Sequence, residues 1–180
     1  MTRRSYLTLA QIADMSVPEL SAEWARPYGA PTPNISPDLL RLGLAYKFQE
    51  QRQGALSRST RTLLVRRPAK RPFREAKLRM DGKREGERYD DDLITLLAEA
   101  MQVQRLVLQS PELSLSQLGK REGRCRAHLG RLLRLSWLSP QIVEAIANGN
   151  QPKSMTRSKL LSVSLPLEWD AQERMLGMAA

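Results

Sequence analysis

Apolar residues recur at intervals of three and four along most of this chain, a spacing typical of helices that bury one face. In the first part of the chain, Ser16 has the side chain that caps a helix start, and Pro27 is expected to end the helix that follows. A third helix is predicted to begin after Ser36 and to stop at Gly54. We therefore interpret residues 1–64 as a small N-terminal helical module.

The helical pattern breaks off between residues 65 and 89. Pro68 and Pro72 stand among several basic residues, which argues against regular structure at that point. Asp81 and Gly82 follow, between two runs of partly alternating apolar and polar residues, and this is a signal for a tight turn between two strands. These residues are interpreted as a basic linker with a candidate β-hairpin.

Helical periodicity returns at Asp90. Three consecutive aspartates precede Leu93, and acidic side chains at a helix start are stabilised by the helix dipole. Ser110 and Pro111 are expected to end this long helix. The whole chain is therefore predicted to be mainly α, with residues 90–180 forming a helix-turn-helix DNA-binding domain and a C-terminal extension.

The helix-turn-helix prediction rests on spacing within residues 115–138. Gly119 is a small residue at the point where two helices would approach closely, and Gly123 supplies a turn position that needs a positive φ. Apolar residues at the inward positions of both helices complete the pattern: Leu115, Leu118, Leu129, Leu132 and Leu133. A basic helical hairpin without a DNA site is the ordinary alternative to this interpretation.

The net charge of the chain indicates what kind of partner it binds. The chain carries 29 Lys and Arg against 19 Asp and Glu, a formal net charge of +10. The excess is concentrated in residues 57–88 and 120–134, which have far more basic than acidic side chains. Such a field favours a polyanionic partner, either nucleic acid or an anionic membrane surface.

The candidate DNA-binding residues fall into three groups. Those expected to contact base edges in the major groove are Arg124, Arg126, His128 and Arg131. Those expected to contact phosphates beside it are Lys120, Arg121 and Arg134. Those in the linker that could track the backbone or enter the minor groove as an arm are Arg66, Arg67, Lys70 and Arg71.

Other classes of site find little support in the residues. The chain has one cysteine, Cys125, and one histidine, so it cannot form an internal disulfide and has no metal-ligand spacing of the zinc type. No Ser-His-Asp pattern is recognisable around the one histidine. Cys125 stands where Ser or Thr usually caps a recognition helix, and a reactive thiol is the less favoured alternative. We expect no metal, no cofactor and no enzymatic activity of the chain by itself. The lack of an apolar run of about 20 residues predicts no membrane span, and a cytoplasmic location is expected.

Two known groups of proteins have similar motifs. The stretch SLSQLGKREGRCRAHLGRLLRLSWLSPQIVEAIANGNQP resembles the helix-turn-helix of ParB-like partition proteins. Together with the later LPLEW, Gln172 and Leu176-Gly177, it is closer to the C-terminal region of large serine site-specific recombinases of bacterial mobile elements. That resemblance covers residues 73–178. Residues 7–64 are similar to the N-terminal half of a small uncharacterised family encoded beside such recombinases.

The chain departs from the recombinase pattern in ways that limit what the resemblance implies. Gly119 replaces the usual alanine and Cys125 the usual serine. The recombinase catalytic domain should lie upstream, and only about 70 residues precede the similar region, so the reaction does not carry over.

The expected function is that of a double-stranded DNA-binding protein, an accessory or regulatory factor of a mobile element, a phage or a serine recombinase. Its expected partner is double-stranded DNA, with a serine recombinase and a second copy of the chain as further candidates and no membrane. The alternative function is a protein-interaction module that holds a recombinase or another partner, with DNA contact secondary.

Overall fold

The computed structural model describes residues 7–66 and 90–178, and every regular element within them is a helix. The prediction of a mainly α fold is confirmed. The candidate hairpin lies outside the described residues. In chain order the helices are α1 (Leu9–Asp14), α2 (Val17–Tyr28), α3 (Pro37–Gln53), α4 (Arg58–Arg66), α5 (Asp91–Gln109), α6 (Leu115–Glu122), α7 (Arg126–Leu135), α8 (Pro140–Ala147), α9 (Arg157–Ser162) and α10 (Trp169–Leu176).

Local cap chemistry explains several of these helix ends. The side chain of Asp90 accepts hydrogen bonds from two backbone N–H groups of the first turn of α5, and that helix ends before Ser110. Ser16 and Glu19 form a reciprocal capping box at the start of α2. Gly54 follows the last residue of α3, where its N–H donates to the Glu50 carbonyl.

The prediction that Pro27 ends the second helix is wrong, because α2 continues through Tyr28. A proline in the last turn removes one backbone donor, but the ring of Tyr28 stacks on that of Trp24, with 4.0 Å between the ring centroids. The helix then stops at Gly29, whose φ of 61° is left-handed. Helix α4 runs through Arg66, so it extends beyond residue 64, the predicted end of the N-terminal module.

The buried apolar residues of both parts of the chain belong to one core. Helix α5 lies at its centre and packs against α4, α7, α8 and α9, while α3 packs against α1, α2 and α7. The N-terminal helices therefore share a core with the C-terminal ones.

A close joint fixes α3 against the end of α7. The rings of Trp24 and Trp137 meet edge to face, with 6.4 Å between the ring centroids. Both rings lie against Gly43 of α3. A Cβ added at Gly43 would come within 2.8 Å of the Trp24 ring and 2.9 Å of the Trp137 ring. The Tyr28 hydroxyl donates to the Gly43 carbonyl at 2.9 Å. Only glycine lets α3 approach this closely.

A second tie joins α3 to the C-terminal segment through a buried amide. The Gln49 side chain donates to the Leu167 carbonyl at 2.8 Å and accepts from the Trp169 N–H at 2.9 Å. Since Gln49 is buried, these bonds satisfy a group whose desolvation would otherwise cost free energy.

Candidate nucleic-acid interface

The pair α6 and α7 is joined by a tight turn built on Gly123. The side chain of Ser114 caps α6 and accepts from the Gln117 N–H, and the side-chain oxygen of Gln117 accepts from the Ser114 N–H. At the other end Gly123 adopts a φ of 63°, and the Arg124 N–H donates to the Gly119 carbonyl at 2.8 Å. The chain then enters α7 with Cys125 as its N-cap residue.

The two glycines of this turn are needed for different reasons. A Cβ on Gly119 would lie 2.5 Å from the Arg124 carbonyl oxygen, which is backbone and cannot rotate away. A Cβ on Gly123 would meet nothing within 4 Å, so that position is constrained by its left-handed backbone alone. Close approach at Gly119 and reversal at Gly123 together set the angle at which α7 leaves α6.

Helix α7 has a clear division between its faces. Its buried residues are all leucines: Leu129, Leu132, Leu133 and Leu135. Its opposite face is basic and small: Arg126, Ala127, Gly130, Arg131 and Arg134. This second set is called the α7 face. The leucine side packs on α5, so the α7 face is held outward by the core.

The α7 face lines an open groove of about 1550 Å³, called the α7 groove. The start of α3 lines it with Ser36, Asp38 and Arg41. Further lining comes from the start of α6, from α9 and from residues 164–167. The groove is therefore built from both the N-terminal and the C-terminal parts of the chain.

The arginines of the α7 face differ in what already holds them. Within residues 7–66 and 90–178, Arg126 and Arg131 are exposed and their side chains make no hydrogen bond or ion pair. Arg134 is half-buried and donates to the Val163 carbonyl at 3.2 Å. Two of the three guanidinium groups are thus free to bind an anion.

The charge of α3 in the groove is internally paired. Arg41 donates to the Asp38 carboxylate at 3.1 Å and to the Met15 carbonyl at 2.9 Å. The Arg41 side chain is 25% exposed, whereas that of Asp38 is 94% exposed. The groove therefore presents unpaired arginines on α7 and an exposed carboxylate on α3.

Arg124 and His128, predicted as base contacts, lie apart from the α7 groove and are half-buried. Burial holds the pKa of His128 below its usual range, and the guanidinium groups of Arg124, Arg157 and Arg131 act in the same direction, against the carboxylate of Glu99. The imidazole is therefore neutral at pH 7 and supplies no positive charge to a phosphate.

The predicted phosphate contacts are also spread over the molecule. Lys120 and Arg121 are exposed on α6, where Arg121 pairs with Glu122 at 3.1 Å and donates to Ser110. Arg66 is exposed at the end of α4, a helix that packs on α5 and α8. The other three arm candidates lie outside the described residues: Arg67, Lys70 and Arg71. Of the predicted residues, the groove brings together Arg126, Arg131 and Arg134.

Cys125 stands exposed at the open end of α7. The nearby backbone N–H groups of His128 and Ala127 hold the pKa of its thiol below the usual range, and the Arg131 guanidinium acts in the same direction. A thiolate is therefore more accessible at this position than in an ordinary surface cysteine.

Sequence reasoning missed the small residues of the α7 face and the part played by α3. Ala127 and Gly130 alternate with the arginines at helical spacing, and that pattern could have identified an open helix face. No signal in the sequence indicates that Asp38 and Arg41 lie beside α7, because their meeting depends on the packing of α3.

The N-terminal part of the chain matches the model of one protein family. Residues 7–91 match the family described as "Protein of unknown function (DUF2924)". That region holds α1 to α4 and ends at the first residue of α5, so it includes the α3 lining of the groove but not α7. No curated protein and no solved structure matches the chain. The similarity to serine recombinases stays a prediction.

Proposed function

We propose that the protein binds double-stranded DNA, with α6 and α7 as a helix-turn-helix and α7 as its recognition helix. The observation that carries the proposal is the α7 face, where Arg126 and Arg131 both line the groove, are exposed and have no acidic partner within the described residues. Arginine is the residue most often used to contact phosphates and guanine edges.

The shape of the α7 face supports the same proposal. Ala127 and Gly130 lie between the arginines and keep the helix surface low, so a bulky ligand can approach the α7 backbone. The leucines on the other side of α7 hold it on α5. A helix held in this way positions side chains against DNA more precisely than a loop does.

The biological setting is a further part of the proposal. The similarity of residues 73–178 to serine recombinases suggests that the DNA is a site on a mobile element, with the protein as an accessory or regulatory factor. Every helix within residues 7–66 and 90–178 is too short or too polar to cross a membrane. Nucleic acid is the polyanion that we favour, because exposed arginines on a helix held by the core suit phosphates and base edges.

The test is a binding titration of purified protein with duplex DNA, after selection of a preferred site from a random library. Arg131→Ala should weaken binding to that site by about 1–3 kcal/mol. Arg105→Ala is the matched control, because Arg105 is also an exposed arginine within a helix but does not line the α7 groove. Equal loss in the two variants would show that net charge, and not the α7 face, determines the affinity.

A further inference from the structure

The start of α3 lines the α7 groove together with the α7 face. Helix α3 belongs to the region that matches the uncharacterised family, whereas α7 does not. We infer that DNA in the α7 groove also contacts the start of α3, so that the region matching the uncharacterised family forms part of the DNA-binding surface. This inference rests on the proposed function of α7. It assigns to the N-terminal helices a role in binding DNA rather than in holding a protein partner.

The position of α3 is fixed, and this makes it a true part of the groove. The Asn34 N–H donates to the Pro111 carbonyl at 2.9 Å, which ties the approach to α3 to the turn before α6. The close contact of Gly43 with Trp24 and Trp137 fixes the middle of α3 near the end of α7. Because both ends of this region are held, a ligand that occupies the α7 groove meets the start of α3 in a defined place.

The chemistry of the lining suits a sugar-phosphate backbone. Serine residues occur on several of the segments around the arginines: Ser36, Ser116, Ser158 and Ser164. The hydroxyls of Ser114 and Ser162 also line the groove but already donate to the Gln117 side chain and the Lys159 carbonyl. Hydroxyl groups and arginines are common donors to phosphate oxygens in protein–DNA contacts. Ser36 precedes α3 and makes no capping hydrogen bond with its own side chain, so its hydroxyl is available.

Asp38 makes the inference testable. Its carboxylate lines the groove and is 94% exposed, so a phosphate backbone beside α3 would be repelled by it. Two unit charges about 4 Å apart in water interact by about 1 kcal/mol, which corresponds to about a fivefold change in affinity. Removal of this charge should therefore tighten DNA binding, which is the opposite of what loss of a favourable contact would do.

The experiment measures binding of a short random-sequence duplex by the full chain, for Asp38→Asn and Asp38→Lys. Asp170→Asn and Asp170→Lys are matched controls, because Asp170 is an exposed aspartate at the second position of α10 and does not line the groove. We expect Asp38→Asn to bind up to about fivefold tighter. Asp38→Lys should steepen the slope of log K against log salt by about one. The Asp170 pair should change neither quantity.

Three results would overturn the inference: no change in the Asp38 pair, weaker binding, or an equal gain in both pairs. Arg131→Ala, measured in the same series, separates this failure from that of the proposed function. If Arg131→Ala weakens binding while the Asp38 pair has no effect, α7 binds DNA and α3 does not face it. If Arg131→Ala also has no effect, the proposed function itself fails. Thermal melts of all variants verify that each is folded.

Discussion

Helix α7 and the start of α3 line the same groove but use their charges differently. On α7, Arg126 and Arg131 are exposed and unpaired within the described structure. On α3, Arg41 is held by Asp38 and by a backbone carbonyl. A guanidinium that is already bound contributes to the shape of the protein, and one that is free can bind a ligand. The contrast identifies α7 as the side that supplies affinity and α3 as the side that limits it.

The largest expected effect comes from breaking the turn that positions α7. Gly119→Ala places a Cβ 2.5 Å from the Arg124 carbonyl oxygen, so α6 and α7 must move apart. We expect a loss of about 1–3 kcal/mol in the free energy of unfolding and a parallel loss of DNA affinity. Chemical denaturation and binding titrations measure the two quantities.

Gly130→Ala is the control for that variant, because it makes the same change on the α7 face. There the added Cβ would meet only the Leu115 Cδ1 at 3.8 Å, an ordinary contact. Alanine is the better helix former, so this variant should be more stable by up to about 1 kcal/mol. If both variants were destabilised alike, close approach at Gly119 would not be the reason for its glycine.

The contrast between bound and free arginines is sharpened by comparing Arg41→Ala with Arg131→Ala in thermal melts. Arg41→Ala removes two hydrogen bonds, one of them to the Met15 carbonyl. This variant should lose about 1–2 kcal/mol in the free energy of unfolding. Arg131 makes none within the described residues and should leave the melting temperature nearly unchanged. A large loss of stability in Arg131→Ala would mean that its charge is already used by the fold.

Cys125 offers a smaller and more local test of where DNA lies. Its thiol pKa is lowered, so alkylation near pH 7 should be faster than for an ordinary surface cysteine, and the rate should fall as pH drops through that pKa. Duplex DNA bound along α7 should protect this exposed thiol from iodoacetamide. Unchanged alkylation at saturating DNA would place the ligand away from the start of α7.

The smallest effect is expected at His128. Because the pKa of this half-buried imidazole is lowered in the folded state, the unfolded chain binds a proton more readily. The His128 contribution therefore makes stability decline as pH falls below about 6.5. His128→Gln should reduce that decline and leave DNA affinity at pH 7.5 unchanged. A clear loss of affinity in this variant would return His128 to the set of DNA contacts.

Local sequence signals account for much of the fold. Ser16, Ser36 and Asp90 are the residues at which α2, α3 and α5 begin. Serine and aspartate are favoured at this position because their side chains can accept hydrogen bonds from the free N–H groups of the first helical turn. Spacing in residues 115–138 also predicted two helices with a glycine turn at Gly123. The starts of these helices and the turn before α7 were therefore predictable from near neighbours in the chain.

The candidate site was less predictable, because its members meet through packing between distant segments. Arg126, Arg131 and Arg134 lie on a single helix and line one groove. The sequence pattern placed Arg126 and Arg131 together but added Arg124 and His128, which lie apart from the groove. The approach of α3 depends on the contacts of Gly43 with two tryptophans, one of them more than ninety residues away. No pattern in either segment alone indicates that contact.

The most direct test of the account is the salt dependence of duplex DNA binding by the wild type and by the double variant Arg126→Ala, Arg131→Ala. Release of counterions from DNA by contact with the two free arginines of the α7 face predicts a slope of log K against log salt of about −2, or steeper if other basic residues contribute. The double variant should have a slope shallower by about 2. A wild-type slope near zero, or the same slope in both proteins, would contradict the claim that α7 binds DNA.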